Sequence, residues 1–265
     1  MLRPISWDSS AHILDKIIAY EAVHAIGSRD VLRRRVEPSD RHCVASFHPA
    51  MPDEPLIFVE VALAGGVPGS IQSLLAEKPG ERADTAVVYS ISTCQSGLAS
   101  ISFGNSLIKQ VAADLSLQLP GLKTFVTLSP LPGFARWLEG EGHALEPGDD
   151  AQLRGLAALY LTRAKRGDGQ PLDPVARFHL GNGASVHQVN AGADLSEKGQ
   201  AQLRGVTVKY LHDPSKPAQT HERFAAAQES ATSGEVRGLA AAAEKALARA
   251  EPARAEPVRR ETARG

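Results

Sequence analysis

Between Thr85 and Leu128 the hydrophobic period of the chain changes twice, and this limits its fold more than any other feature. Thr85 to Ser92 (TAVVYSIS) is a β-branched, apolar run of strand length. From Ile101 to about Leu117 the apolar residues Phe103, Leu107, Ile108, Val111 and Leu115 recur at helical spacing and form one face. Thr124 to Leu128 (TFVTL) returns to strand character. Strands alternating with helices predict an α/β sheet.

The flanking segments add to that pattern. Ile13, Leu14, Ile17 and Ile18 predict a helix from Ser10 to about His24, with Ser9 or Ser10 as cap, and a short basic helix spans Ser28 to Val36. CVASF (Cys43 to Phe47) and LIFVEVAL (Leu56 to Leu63) read as two strands of a hairpin whose turn is HPAMPDEP. Pro130 to Leu138 can open a short helix, with Pro130 in its first turn. Asp149 or Asp150 caps a further helix with a stripe of Leu153, Leu156, Ala157, Tyr160, Leu161 and Ala164, ending at Gly167. VARFHLGNGASVHQVN reads as strand, tight turn at Gly181-Asn182-Gly183, strand, and Val206 to Leu211 is a last strand. No internal repeat is visible. One domain is expected over residues 1–224, followed over 225–265 by an alanine-rich helix (Glu235 to Ala250) and a disordered end.

Bulk properties exclude several classes. Of 265 residues, 43% are hydrophobic, enough for a sizeable core. A formal net charge of -1 gives no reason to expect nucleic acid or an anionic membrane as partner. The N-terminus lacks an apolar signal core, and the longest apolar run, Leu56 to Leu63, is interrupted by Glu60 and too short for a span. Cys43 and Cys94 are the only cysteines and form no CxxC pair, so neither a disulfide scaffold nor zinc is expected. The expectation is a cytoplasmic protein.

Three features can carry chemistry. The loop TCQSGLASISFGN between the first strand above and its helix exposes backbone N–H groups at a helix N-terminus, which suits a phosphate or pyrophosphate; on spacing alone, a turn that merely needs small residues for packing is the simpler reading. Ser129, in LSPLPGF, stands at a strand end, where catalytic residues gather, or else caps the helix opening at Pro130. His179, read on a strand, shares a side with Arg177 and can face a cleft or be a satisfied core histidine. His24, His187, His212 and His221 have no recognisable partner, and no histidines pair as in HExxH. GxGxxG, GxxxxGK[ST] and GxSxG are all absent, so no redox cofactor and no ATP is expected.

Seven stretches in order resemble the malonyl-CoA decarboxylase family: EAVH (21–24), HPAMPDEPLIFVEVAL (48–63), the Ile-Gln pair of SIQSLL, VVYSISTCQSGLASISFGNSLIKQV (87–111), FVTLSPLPGFARWL (125–138), DPVARFHLGNGASVHQVN (173–190) and the tyrosine of VKYL. The resemblance implies a GNAT-like fold, a splayed mixed sheet flanked by helices whose central gap admits the pantetheine arm. It implies cofactor-independent decarboxylation of malonyl-CoA to acetyl-CoA. It maps catalytic roles onto Ser129, His179 and Tyr210, and coenzyme A contacts onto Ala99, Ser100, Ile101, Ser102, Phe103, Gly104 and Asn105. Ser100 departs from the glycine of many members, and the alanine-rich tail departs from the family pattern. The family also has an N-terminal helical domain that supports homo-oligomers; this chain begins about where the catalytic domain begins. The rival readings are a GNAT-type N-acyltransferase and a non-catalytic acyl-CoA-binding fragment.

Overall fold

The computed structural model describes residues 1–76, 83–98, 103–213 and 231–254. Seven strands form one sheet: β1 (Leu2–Ile5), β2 (Arg41–His48), β3 (Met51–Ala64), β4 (Thr85–Thr93), β5 (Thr124–Pro130), β6 (Ser185–Asn190) and β7 (Thr207–His212), in the order β1-β2-β3-β4-β5-β7-β6. All neighbours run antiparallel except β4 and β5, which are parallel and joined by α4 (Phe103–Gln118). A parallel pair needs such a crossover, and the apolar stripe of that segment supplies the face that covers it.

Among the described residues the other helices are α1 (Ala11–Tyr20), α2 (Arg29–Val36), α3 (Ile71–Ala76), α5 (Phe134–Gly140), α6 (Asp150–Arg163), α7 (Pro174–Gly181), α8 (Glu197–Leu203) and α9 (Gly234–Arg254). Ser10, Ser28 and Asp149 accept the backbone N–H three residues on and cap α1, α2 and α6. Alternation along β3 sets the layers. Ile57, Val59 and Val61 pack with Leu107, Val111 and Leu115 of α4, while Phe58 packs with α1 and α2 on the other face and Ala62 and Ala64 with α3. A further core joins β6 and β7 to α5, α6, α7 and α9. There Gly155 of α6 lets α9 approach, since a Cβ on it would stand 3.2 Å from that of Ala243.

Several expectations need correction. The hairpin turn is confined to Pro49 and Ala50; the rest of HPAMPDEP lies in β2 and β3, where His48 pairs with Met51 and Phe47 with Pro55, and Pro52, Asp53 and Glu54 fall between those pairs at a register shift. The short helix begins at Phe134, not Pro130, because Pro130 is the last residue of β5 and pairs with Thr207. Helix α6 ends at Arg163, before the expected Gly167, where Lys165 bridges Pro171. Residues 175–181 are helix, not strand. The alanine-rich helix runs to Arg254, past the expected Ala250; residues 255–265 lie outside the described ones. Strand β1 and helices α3 and α8 were not anticipated.

One irregularity opens the sheet. Parallel pairing of β4 with β5 covers only Thr85–Val88 against Thr124–Thr127, although β4 continues to Thr93 and β5 to Pro130. On its other side β4 carries a bulge: Glu60 pairs with Ser90 and Val61 with Val88, so Tyr89 is the extra residue. A bulge bends its strand and increases its twist. Beyond Val88 the two strands diverge, and the gap between them becomes a cavity.

Candidate active site

The cavity in this gap measures about 280 Å³. Tyr89 and Ser90 form one side, Leu128 and Ser129 the other, and Phe178 and His179 close the end. Val23 adds a wall. Its segment is pinned by the Glu21 carboxylate, which accepts the N–H groups of Val23 and His24 and the hydroxyl of Ser90, all at 2.8 Å. The EAVH stretch therefore contributes to the site, which sequence reading left unassigned.

Ser129 lies on β5 on the same face as Phe125 and Thr127, and that face looks toward α7. Helix α7 explains how His179 reaches it. Asp173 caps the helix through Ala176 N–H at 2.8 Å and Pro174 occupies its first turn. Ala176, His179 and Leu180 then fall at i, i+3 and i+4, which is the buried face. Gly183, at φ 82°, ends the segment with a backbone conformation that favours glycine. The Asp-Pro pair and this terminal glycine were the readable helix signals; the run of Phe178 to Leu180 read at period two concealed them.

The hydroxyl of Ser129 and Nε2 of His179 are 2.9 Å apart and hydrogen-bonded. Ser129 does not cap a helix, since α5 begins after Gly133 with no side-chain cap. Tyr210 of β7, fully buried, stacks on the His179 ring with centroids 4.3 Å apart and planes at 24°. The structure thus brings Ser129, His179 and Tyr210 together. Asp173 ties the two serine and histidine segments to each other, because its second oxygen also accepts Gly133 N–H at 3.5 Å. Gly133 is required there, for a Cβ would run into the Tyr160 hydroxyl.

Electrostatics favour neutral groups. Burial first, and then neighbouring His212, hold His179 well below the ordinary histidine range, although it sits in the last turn of a helix, where a cation is welcome. Burial likewise raises the Tyr210 phenol, helped by Asp173 and Tyr160, so it remains a donor. Nδ1 of His179 and the Tyr210 hydroxyl are buried without a hydrogen-bond partner among the described residues. Among the described residues no carboxylate therefore orients the histidine as in a Ser-His-Asp triad. Among the described residues no group of three or more His, Cys, Asp or Glu could hold a metal.

The expected coenzyme A contacts divide. Ala99, Ser100, Ile101 and Ser102 lie outside the described residues. Phe103, Gly104 and Asn105 form the first turn of α4, which follows β4 and the short 3-10 turn Ser96–Leu98 in the chain. This is the strand-to-helix junction expected from the sequence.

The malonyl-CoA decarboxylase C-terminal domain matches residues 1–149 and 149–250. The match to residue 250 includes most of the alanine-rich helix, against the expectation that this segment departs from the family. The mitochondrial malonyl-CoA decarboxylase of Anser anser anser is 33% identical over 262 residues, covering 80% of this chain and 52% of that protein. The crystal structure of malonyl-CoA decarboxylase from Agrobacterium vitis is 44% identical with a TM-score of 0.80, covering 91% of this chain and 67% of that one. The GphF GNAT-like decarboxylase, solved with isobutyryl-CoA, shares the fold at 21% identity and a TM-score of 0.58, over 81% of this chain and 99% of its own. The sheet is thus GNAT-like, and the chain spans about half the length of the curated relatives it matches. With the domain match running from residue 1 to residue 250, the chain belongs to the malonyl-CoA decarboxylase family.

Proposed function

We propose that the chain decarboxylates malonyl-CoA to acetyl-CoA and CO2, with Ser129, His179 and Tyr210 as its catalytic residues. The observation that carries this reading is the buried Ser129–His179 hydrogen bond at the end of the β4–β5 gap. The gap leaves the edges of two strands facing each other, and a pantetheine arm can lie between them and use their free backbone groups. The pyrophosphate would meet the N-terminus of α4, where N–H groups and the helix dipole favour anions. Residues 99–105 supply that contact in this reading.

The reaction breaks the bond from C2 to the carboxylate. Its electron pair passes into the thioester as an enolate, CO2 leaves, and C2 takes up one proton. The protein must hold the carboxylate out of the thioester plane, stabilise the oxyanion and deliver the proton. Ser129 hydrogen-bonds the malonyl carboxylate and orients it. That anion beside His179 favours the imidazolium and offsets the desolvation that otherwise keeps the ring neutral. His179 then protonates C2, and Tyr210 adds a neutral donor near the ring. No resident cofactor is required, because the thioester itself accepts the electrons.

Cys43 and Cys94 are both free and buried, which suits a reducing compartment such as the cytoplasm. Among the described residues no helix is long and apolar enough to cross a membrane.

Replacing His179 by Ala is expected to lower kcat by about 100-fold or more while the KM for malonyl-CoA and the affinity for coenzyme A change little. Steady-state kinetics with calorimetric titration of coenzyme A checks this, and wild-type turnover in the variant contradicts the assignment.

A further inference from the structure

Among the described residues, Nδ1 of His179 and Nε2 of His212, on neighbouring rings beside the site, are buried without a hydrogen-bond partner. A buried polar atom left unpaired is destabilising, so such a pair calls for an explanation. The two rings meet edge to face, with centroids 5.4 Å apart and planes at 76°. His212 is the last residue of β7, two positions beyond Tyr210 and opposite Phe125 on β5, so it stands behind His179 as seen from Ser129. No hydrogen bond joins the two nitrogens in this structure. Catalytic hydrogen bonds often tighten only when substrate is bound.

We propose that His212 is the positioning residue for His179: its Nε2 accepts the Nδ1 proton of His179, fixing the tautomer in which Nε2 of His179 faces Ser129. The inference extends the decarboxylase reading above. A histidine presents one nitrogen correctly only when something holds the other, and a carboxylate or backbone carbonyl usually does this. Among the described residues neither holds Nδ1 of His179, and a second imidazole stands beside it. The charged and titratable groups around His212 keep it in the accepting form. Burial and Lys109 of α4 push it down to about 4, His179 faces it from α7, and Tyr210 precedes it on its own strand. A neutral His212 has one bare nitrogen to offer; a protonated one has none. No proton needs to leave His179 for His212: the bond holds the ring while Nε2 does the chemistry.

Two substitutions separate this role from packing. His212→Phe keeps a ring and removes the acceptor; His212→Gln keeps an acceptor that cannot titrate. The proposal expects kcat to fall about 10–100-fold in H212F with little change in KM, and to recover largely in H212Q. It further expects the ring 15N resonances of His179 to report the Nδ1–H tautomer in wild type and H212Q but a mixture in H212F. Equal kcat in H212F and wild type, with unchanged 15N tautomer signals, overturns the proposal. So does an effect carried instead by Thr127→Val, since the buried Thr127 hydroxyl on the same sheet face is also unpartnered. A wild-type chain that forms no acetyl-CoA defeats the decarboxylase reading, and the tautomer signals still decide the role of His212. If H212F fails to fold, H212Q against Thr127→Val gives the same decision: loss of the tautomer in the latter alone refutes it.

Discussion

Tyr210 is a residue whose stability and functional roles separate cleanly. Its ring is fully buried on His179, yet its hydroxyl has no partner among the described residues. An unpaired buried hydroxyl gives little to folding, so its removal is expected to leave stability within about 1 kcal/mol or to raise it. If the hydroxyl serves the reaction, Tyr210→Phe instead lowers kcat by about 10-fold or more. Thermal unfolding and kinetics on one preparation check both halves. A large loss of stability with normal turnover would contradict the assignment. The sequence alone pointed to Ser129, His179 and Tyr210 through resemblance, since spacing did not separate a catalytic serine from a helix cap. His212 was unreadable, because the ring it meets, that of His179, lies on α7, thirty-three positions away in the chain.

At the scale of elements, α7 decides whether the site assembles. Its cap, Asp173, is buried, and burial holds its carboxyl above the usual aspartate range even though three backbone N–H groups favour the charge. Asp173→Ala removes the cap and the link to Gly133, and is expected to destabilise the chain by about 1–3 kcal/mol. It should also lower kcat more than it alters coenzyme A affinity, because His179 moves with the helix. Urea unfolding and kinetics test this; a variant of unchanged stability and activity contradicts it. The strands and long helices were legible because their apolar periods are sustained, as in β4 and α4. α7 was missed because its Phe178–Leu180 run fits either period. The β4–β5 gap could not be read, since a bulge at Tyr89 is a matter of pairing and leaves no mark in a continuous apolar run.

The whole molecule carries the acid–base character of the site into its stability. His179 and His212 both have folded values depressed by burial, His212 to about 4 against an ordinary 6.5. Their contribution is present above about pH 6.5 and lost as pH falls toward 4, because the unfolded chain takes up protons that the folded chain refuses. For His212 this amounts to about 3 kcal/mol at most. Glu60, pushed up to about 8 by burial and Glu21 against the pull of Arg35, acts in the opposite sense and loses stability as pH rises from about 4.5 to 8. The signature is therefore the difference between wild type and His212→Asn: the variant should lose less stability between pH 7 and pH 4.5. Parallel curves would contradict a neutral, buried His212. The central claim, that this chain carries out decarboxylation with Ser129 and His179, is tested most directly by supplying malonyl-CoA with no acyl acceptor and following acetyl-CoA and CO2. Equal amounts of both from wild type, with turnover strongly reduced in Ser129→Ala and His179→Ala, are the predicted result. No CO2 from wild type, or undiminished CO2 from both variants, would contradict it.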